Sequence, residues 1–570
     1  MTQVERESMD YDVVIVGGGP AGLSAAIRLK QLDPDLSVVL LEKGSEVGAH
    51  ILSGAVLDPV GLNALIPDWK DKGAPLDTPV TTDSFYVLGE GGRVRIPNRV
   101  MPPLMNNHGN YVVSMGNVCR WLATQAEALG VEIFAGMSCS ELVWGENDRL
   151  AGVVAGEFGK VPDGSFDGAP GPNYEPGMEI RGKYVFLAEG VRGSLSQQAI
   201  AHFNLADGRE PQKYGLGMKE LWTVEPGRIR AGQVIHTMGW PLNQGAGGGG
   251  FIYGLSDTEV YVGFVVHLNY RNPYLYPYGE FQRFKHHPLV AEILTGGKRT
   301  AYGARAINEG GWQSLPKLAF PGGVLLGCAA GMVNVPRIKG NHNAMLSGIH
   351  AAEVAQAAIA AGREGDVLEE YDNVVRTGAV GRDLQAVANV KPLWSRYGLV
   401  ASLGIGGLDM WTQTLLNRSV FGSIRHGKTD AESTEPAAKH KPIVYPKPDG
   451  KLSFDRLTNL AFSGTNHDES QPAHSQSGPQ PSLTSKTRSR SAGIAAFTAS
   501  VWALKAAISP ARSSPTWKPV RPRTAVPIRS QSCIPGGIWS PAARNLPMVS
   551  PKLSAQVSGL RNVRTNLASR

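Results

Sequence analysis

The chain has 570 residues and a formal charge of +7, but that charge averages two unlike segments. Up to Glu469 there are 42 Lys/Arg against 49 Asp/Glu, and beyond it 14 Lys/Arg and no acid at all. The body is therefore an acidic, well-mixed sequence long enough for two or three cores. The basic excess that would otherwise suggest nucleic acid or anionic lipid is confined to a Ser/Pro/Arg-rich tail, predicted to be disordered because it lacks the apolar periodicity to offset its chain entropy.

The opening MTQVERESMD is short and polar and does not resemble a signal or transit peptide, so a cytoplasmic, bacterial chain is expected. An apolar run, Tyr11 to Val16, follows at once and predicts a buried strand. It leads into Gly17-x-Gly19-x-x-Gly22, a helix of small residues, and a second strand ending at Glu42. The three glycines serve different needs, namely the tight turn, the close approach of backbone to a pyrophosphate, and the close packing of helix on strand. The pyrophosphate would sit at the helix N-terminus, and Glu42 would accept hydrogen bonds from the adenosine ribose.

The motif alone does not separate FAD from NAD. Its place near the N-terminus, with GGGPAGL and the later YVFLAEGVRGSLS, resembles the FAD-binding half of the glutathione-reductase-like flavoproteins. In that setting Glu189 and Gly190 end a strand and turn the chain beside the dinucleotide. A third piece, from Pro321 to Ile359, has a strand, a glycine-rich turn and an alanine-rich helix, which brings Gly327 towards the ribityl chain. The run Gly245 to Gly250 precedes a strand rather than following one, so no second dinucleotide site is expected, and nicotinamide is not the expected electron source.

Further along, Leu399 to Leu416 carries Asp409 and three glycines, and no window reaches the ~20 apolar residues that span a bilayer. Cys119, Cys139, Cys328 and Cys533 stand apart, without a C-x-x-C pair, and give neither a disulfide framework nor a recognisable metal cage.

Taken together, GAHILSGAVLDP, YGLGMKELW, HTMGWPL, GMVNVPRIKGNHNAM, YPKPDGKLSFD and SGTNH resemble one family, the electron transfer flavoprotein–ubiquinone oxidoreductases, from about residue 11 to about residue 474. The resemblance implies an α/β fold, α+β overall: a glutathione-reductase-like FAD-binding Rossmann domain (1–215 and 320–415) with an inserted quinone-binding α+β domain (216–319). The start of the family's C-terminal region (416–474) and a basic low-complexity tail (475–570) would follow. It implies electron transfer from reduced electron transfer flavoprotein through FAD to ubiquinone, by a peripheral or monotopic enzyme on the cytoplasmic face of the bacterial inner membrane. Ser53 and Asn341 would make polar contacts with the flavin ring, and Gly248 and Gly249 would offer backbone to the quinone. Membrane contact would fall to the Ile51–Trp69 segment or to Leu399–Leu416. His50, His108, His342 and His474 are expected to be structural, and His286 and His287 to be solvated helix-end residues.

The family pattern breaks at Ser475. Its C-terminal domain holds a four-iron four-sulfur cluster through four cysteines, whereas only Cys533 lies beyond this point, and one thiolate cannot replace four. A tail of the right length and the wrong composition is what a shifted reading frame would produce. Another FAD-dependent electron-transfer protein, a prenyl reductase with a different donor, or an inactive remnant are the alternative readings.

Overall fold

The computed structural model describes residues 5–51, 54–161, 169–242 and 245–463. Two sheets organise them. In the first, strand β1 (Ser8–Val16) is central because its residues from Val13 to Val16 are apolar and buried on both faces, as a parallel strand between helix layers requires. It pairs in parallel with β2 (Val38–Glu42) on one side and with Met178–Leu187 on the other, and the sheet has eight strands in all. Helix α1 (Pro20–Leu32) connects β1 to β2. Proline at its first position suits a helix start, where its missing N–H costs nothing. α1 packs on the long helix Asn341–Ala360 through small residues. A Cβ added at Gly348 would lie 2.2 Å from the Ala21 carbonyl oxygen, so the two backbones are as close as glycine allows.

The second sheet has seven strands: Lys298–Asn308, Tyr214–Thr223, Glu259–His267, Gly248–Gly254, Gln233–Gly239, Thr82–Leu88 and Arg93–Ile96 in spatial order. One face is apolar and covered by the helices Pro277–Lys285 and Pro288–Leu294, with Trp222, Phe264, Phe281 and Phe284 fully buried between. Lys285 and Glu220 are both wholly buried in that layer and meet at 2.9 Å. Glu220 also accepts from Trp222 Nε1–H at 2.8 Å and from Asn459 Nδ2–H at 2.9 Å. This ties the short helix Arg456–Leu460 to the sheet.

Two features depart from the sequence reading. The seven-stranded sheet recruits Thr82–Leu88, in parallel with Gln233–Gly239, so residues before 215 belong to both sheets. Gly248 to Gly250 lie inside a strand rather than ahead of one.

The two membrane candidates also separate. Leu57, Leu62, Leu65, Ile66 and Trp69 are core residues. In contrast, Leu408, Leu415 and Leu416 of helix Val390–Leu416 are more than half exposed. That helix is broken at Gly398, whose φ of +73° only glycine adopts freely. Among the described residues no helix is long and apolar enough to cross a membrane.

Candidate functional site: a cavity between two sheets

The turn after β1 gives each of the three glycines different surroundings. Gly17 has φ +114°, and a Cβ there would lie 2.5 Å from the Ala188 carbonyl oxygen. At Gly22 a Cβ would meet the Gly17 carbonyl oxygen at 2.1 Å, so this glycine lets α1 pack against the turn. Gly19 precedes α1, and a Cβ there would meet nothing within 4 Å. Its surroundings are open because it borders a cavity of about 600 Å³. The N–H groups of the first turn of α1 and the helix dipole make this border attractive to an anion.

Glu42 lies beside the same turn. Its carboxylate accepts from Gly18 N–H at 2.9 Å and from Gly44 N–H at 2.7 Å, and each oxygen keeps a further lone pair for a ligand hydroxyl. Glu189 is differently employed. It accepts from Ser196 N–H at 2.6 Å, Ser196 Oγ–H at 2.7 Å and Leu195 N–H at 3.3 Å, thereby capping helix Ser194–His202. Burial raises its pKa. The next residue, Gly190, borders the cavity, whereas Glu189 does not. Gly327 lies just behind the wall, donating its N–H to Ser347 Oγ at 3.0 Å, and its neighbours Leu326 and Cys328 face the space. Burial pushes the Cys328 thiol up to about 11, so it is a packing group rather than a thiolate nucleophile. Asn341, at the start of its helix, lines the cavity, as do Gly248 and Gly249. Ser53 lies outside the described residues, but the adjoining Gly54 is part of the wall.

The cavity is thus bounded by both sheets. Its floor on the seven-stranded side follows from strand periodicity. In Tyr214–Thr223, Leu216, Met218, Glu220 and Trp222 point to the buried layer, while Gly217 and Lys219 point to the cavity. The neighbouring strand Lys298–Asn308 places Gly303 opposite Lys219 and Arg305 opposite Gly217. Small residues make room and two cations project into it.

Lys219 donates to the Gly54 carbonyl oxygen at 3.0 Å. Neither Lys219 nor Arg305 has an ion pair among the described residues. Burial and Arg305 push the Lys219 pKa down to about 7, and the same two causes push Lys43 down to about 7. Such a wall suits a ligand that carries or develops negative charge.

The opposite part of the cavity is more apolar and aromatic. Phe251 stacks on Tyr253 with centroids 4.6 Å apart, and His236 Nε2 is 2.7 Å from the Tyr253 hydroxyl. Burial, then Lys339, brings the His236 pKa down to about 3, so this imidazole is neutral. Val100, Met101, Met105, Leu399, Leu403 and Met410 complete the lining. Trp411 Nε1–H donates to the Val100 carbonyl oxygen at 3.1 Å, joining the broken helix to the segment after Arg93–Ile96. Val100, which lines this wall, is also more than half exposed, and the helix that contributes Leu399, Leu403 and Met410 to the wall carries the exposed Leu408, Leu415 and Leu416.

Several wall residues were not anticipated from the sequence: Lys219, Arg305, Lys339, His236 and Tyr253. The signal for the first two was present as glycine and a cation on one face of a strand whose other face is apolar. His287 is a correction. It is buried, not solvated, and its Nδ1 accepts from Leu289 N–H at 3.2 Å at the start of the next helix. His286 is exposed. Cys119 and Cys139 are free, with pKa values raised by burial, and the described residues contain no group of His, Cys, Asp or Glu able to hold a metal ion.

Comparison with known proteins bears on the whole body. Residues 214–307 match the family model described as ETF-QO, ubiquinone-binding, and residues 15–72 match an NAD(P)-binding Rossmann-like domain. The chain is 47% identical over 477 residues to an electron transfer flavoprotein-ubiquinone oxidoreductase of Pseudomonas aeruginosa, covering 83% of this chain and 86% of that one. It is 46% identical over 486 residues to the mitochondrial protein of the same description from Rattus norvegicus, covering 83% and 77%. Among solved structures, a geranylgeranyl bacteriochlorophyll reductase-like protein from Thermoplasma acidophilum superposes with a TM-score of 0.53 at 18% identity, over 73% of this chain and 94% of that one. That likeness is one of fold.

Proposed function

The chain belongs to the electron transfer flavoprotein–ubiquinone oxidoreductase family, and from that premise we propose that its central cavity is where electrons pass to ubiquinone. It is an oxidoreductase of the electron-transferring-flavoprotein dehydrogenase type, taking electrons from reduced electron transfer flavoprotein and delivering them to ubiquinone. FAD, when bound, supplies the electron-carrying chemistry. The remaining work of binding, orienting and excluding water falls to the residues of the chain.

In this reading Gly17, Gly19, Gly22 and the start of α1 hold the pyrophosphate, and Glu42 holds the ribose. Gly190 and Gly327 let the chain pass close to the cofactor, and Ser53 and Asn341 contact the flavin ring. Glu189 acts one step back, by fixing the helix beside Gly190. Lys219 and Arg305 fit the same cofactor, since these two cations, without an ion pair among the described residues, face the space its electron-rich ring would fill. Gly248 and Gly249 contribute backbone to the quinone head group. The nucleotide domain comprises 1–215, apart from the strands between Thr82 and Ile96, and 320–415, and the quinone domain comprises 216–319 together with those two strands.

The apolar wall and the exposed leucines favour a peripheral or monotopic seat on a membrane, at the cytoplasmic face of the bacterial inner membrane. The family's four-iron four-sulfur cluster has no ligand set here, because the chain has four cysteines and three of them stand apart in the body.

One observation carries the proposal: the dinucleotide turn at Gly19 and the glycine strand at Gly248–Gly250 border a single cavity. The test is anaerobic. The FAD-loaded full chain is photoreduced and mixed with a short-chain ubiquinone, and the flavin absorbance is expected to return as quinol forms. A flavin that stays reduced with quinone in excess would overturn the reading.

A further inference from the structure

Reduction of a quinone needs protons as well as electrons, and at the aromatic end of the cavity, away from the Lys219 and Arg305 wall assigned to the cofactor, Lys339 has the chemistry to supply them. Lys339 borders the cavity and is buried to 5% exposure. Its ammonium is held by hydrogen bonds to Asn107 Oδ1 and to the Arg337 carbonyl oxygen, with no carboxylate in ion-pair contact among the described residues. Asn107 is itself fixed, donating from its backbone N–H at 3.2 Å and from Nδ2 at 2.8 Å to Asp83 Oδ2. Asp83 lies on the strand Thr82–Leu88, which pairs with the His236 strand so that Phe85 faces His236. The lysine is therefore positioned by two elements that also build the aromatic part of the cavity.

Resting on the proposal that quinone is reduced in this cavity, we propose that Lys339 is the catalytic acid that protonates the quinone. As the quinone takes two electrons from the reduced cofactor, an Nζ–H bond of the ammonium breaks and an O–H bond forms on a quinone oxygen, leaving a neutral amine. A proton from bulk solvent restores the ammonium, and a second transfer of the same kind completes the quinol, so that two electrons and two solvent protons are taken up in all.

The other polar groups of this wall are less suited. His236 is held neutral, Tyr253 is a weaker acid than an ordinary phenol because of burial, and Asn107 has no acidic proton. Burial and Arg337 bring the Lys339 pKa down to about 8, against the smaller opposite pull of Asp83, Asp58 and Asp383. The group is thus mostly charged at neutral pH yet can give up its proton, the condition for an effective general acid.

The acid form of Lys339 is present below about 8 and is lost above it. Reoxidation of photoreduced enzyme by saturating short-chain quinone should therefore fall with an apparent pKa near 8, while quinone binding, read by flavin fluorescence, stays constant. A rate that is flat from pH 6 to 10 would overturn the proposal, and this measurement needs no variant.

Lys339→Met should lower the rate at least tenfold with flavin content and quinone affinity retained, and should remove the limb near pH 8. Lys339→Arg keeps the charge but cannot release its proton at these pH values, so it should be as slow as Lys339→Met. Recovery of the rate by arginine would show that charge alone matters and would also overturn the proposal. If wild-type enzyme reduces quinone and Lys339→Met does so equally well, only this assignment fails. If wild-type enzyme does not reduce quinone, the cavity reading fails with it.

Discussion

At Gly19 and Gly22, two residues of one motif, a side chain would do different things. A Cβ at Gly19 enters open cavity, whereas at Gly22 it meets backbone at 2.1 Å. Gly19→Val should therefore yield a folded protein with a normal far-UV spectrum and little bound flavin. Gly22→Val should lower the melting temperature as well, because α1 must move away from the turn. Equal flavin content in Gly19→Val and wild type would remove the nucleotide assignment. The same reasoning limits what Gly249 can reveal: its Cβ would lie 2.2 Å from the Thr237 carbonyl oxygen, so a bulky residue there disturbs the sheet before it reaches a quinone. Glycine spacing made the motif readable from the chain, but which glycines face a ligand and which face backbone depends on strands far away in sequence. Glu189 illustrates this, since its helix-capping role becomes visible only once Ser196 is folded back onto it.

At the scale of elements, two contacts decide how the seven-stranded sheet is held and what its outer helix does. The Lys285–Glu220 pair is wholly buried, and Glu220 also anchors Trp222 and Asn459. Removing the lysine alone leaves a buried carboxylate without its counter-charge, a loss of about 3–5 kcal/mol. Lys285→Met should thus melt well below wild type, and adding Glu220→Leu should recover part of the loss. A single variant as stable as wild type would contradict the pairing.

The exposed Leu408, Leu415 and Leu416 call for a different measurement. Each buried leucine contributes about 1.5–3 kcal/mol, so replacing all three by glutamine should weaken sedimentation with liposomes by tenfold or more. Reduction of long-chain ubiquinone should then fall while a soluble analogue is reduced normally. Unchanged liposome binding would assign the helix face to something other than lipid. The periodicity of Leu399–Leu416 made a helix legible from the chain, and β1, α1 and β2 were legible through their apolar runs. The recruitment of Thr82–Leu88 was not, because strand pairing across some 150 residues leaves no local pattern. The Ile51–Trp69 segment misled for a related reason: its leucines are as apolar as those of a membrane face, and only packing shows them to be core.

For the molecule as a whole, the question is which electron routes remain when the body is that of the family and the last hundred residues are not. Relatives match over 83% of the chain, and the two family models, at residues 15–72 and 214–307, take in the nucleotide turn and the glycine strand. What the chain lacks is countable: it has four cysteines, of which Cys119, Cys139 and Cys328 are free and pushed towards the thiol form by burial. A four-iron four-sulfur cluster requires thiolates converging on one point, and three of the four are already placed elsewhere. The purified 570-residue chain should accordingly show flavin absorbance with no stoichiometric iron, no acid-labile sulfide and no paramagnetic signal of a reduced cluster. If the cluster is where electrons from reduced electron transfer flavoprotein normally enter, that donor should drive quinone reduction slowly. A small artificial donor that reaches the flavin directly should drive it at a rate set by the cavity, and so by Lys339. Four irons per chain would contradict this outright. Fast turnover with the natural donor in iron-free protein would show instead that the partner flavoprotein can pass electrons straight to FAD.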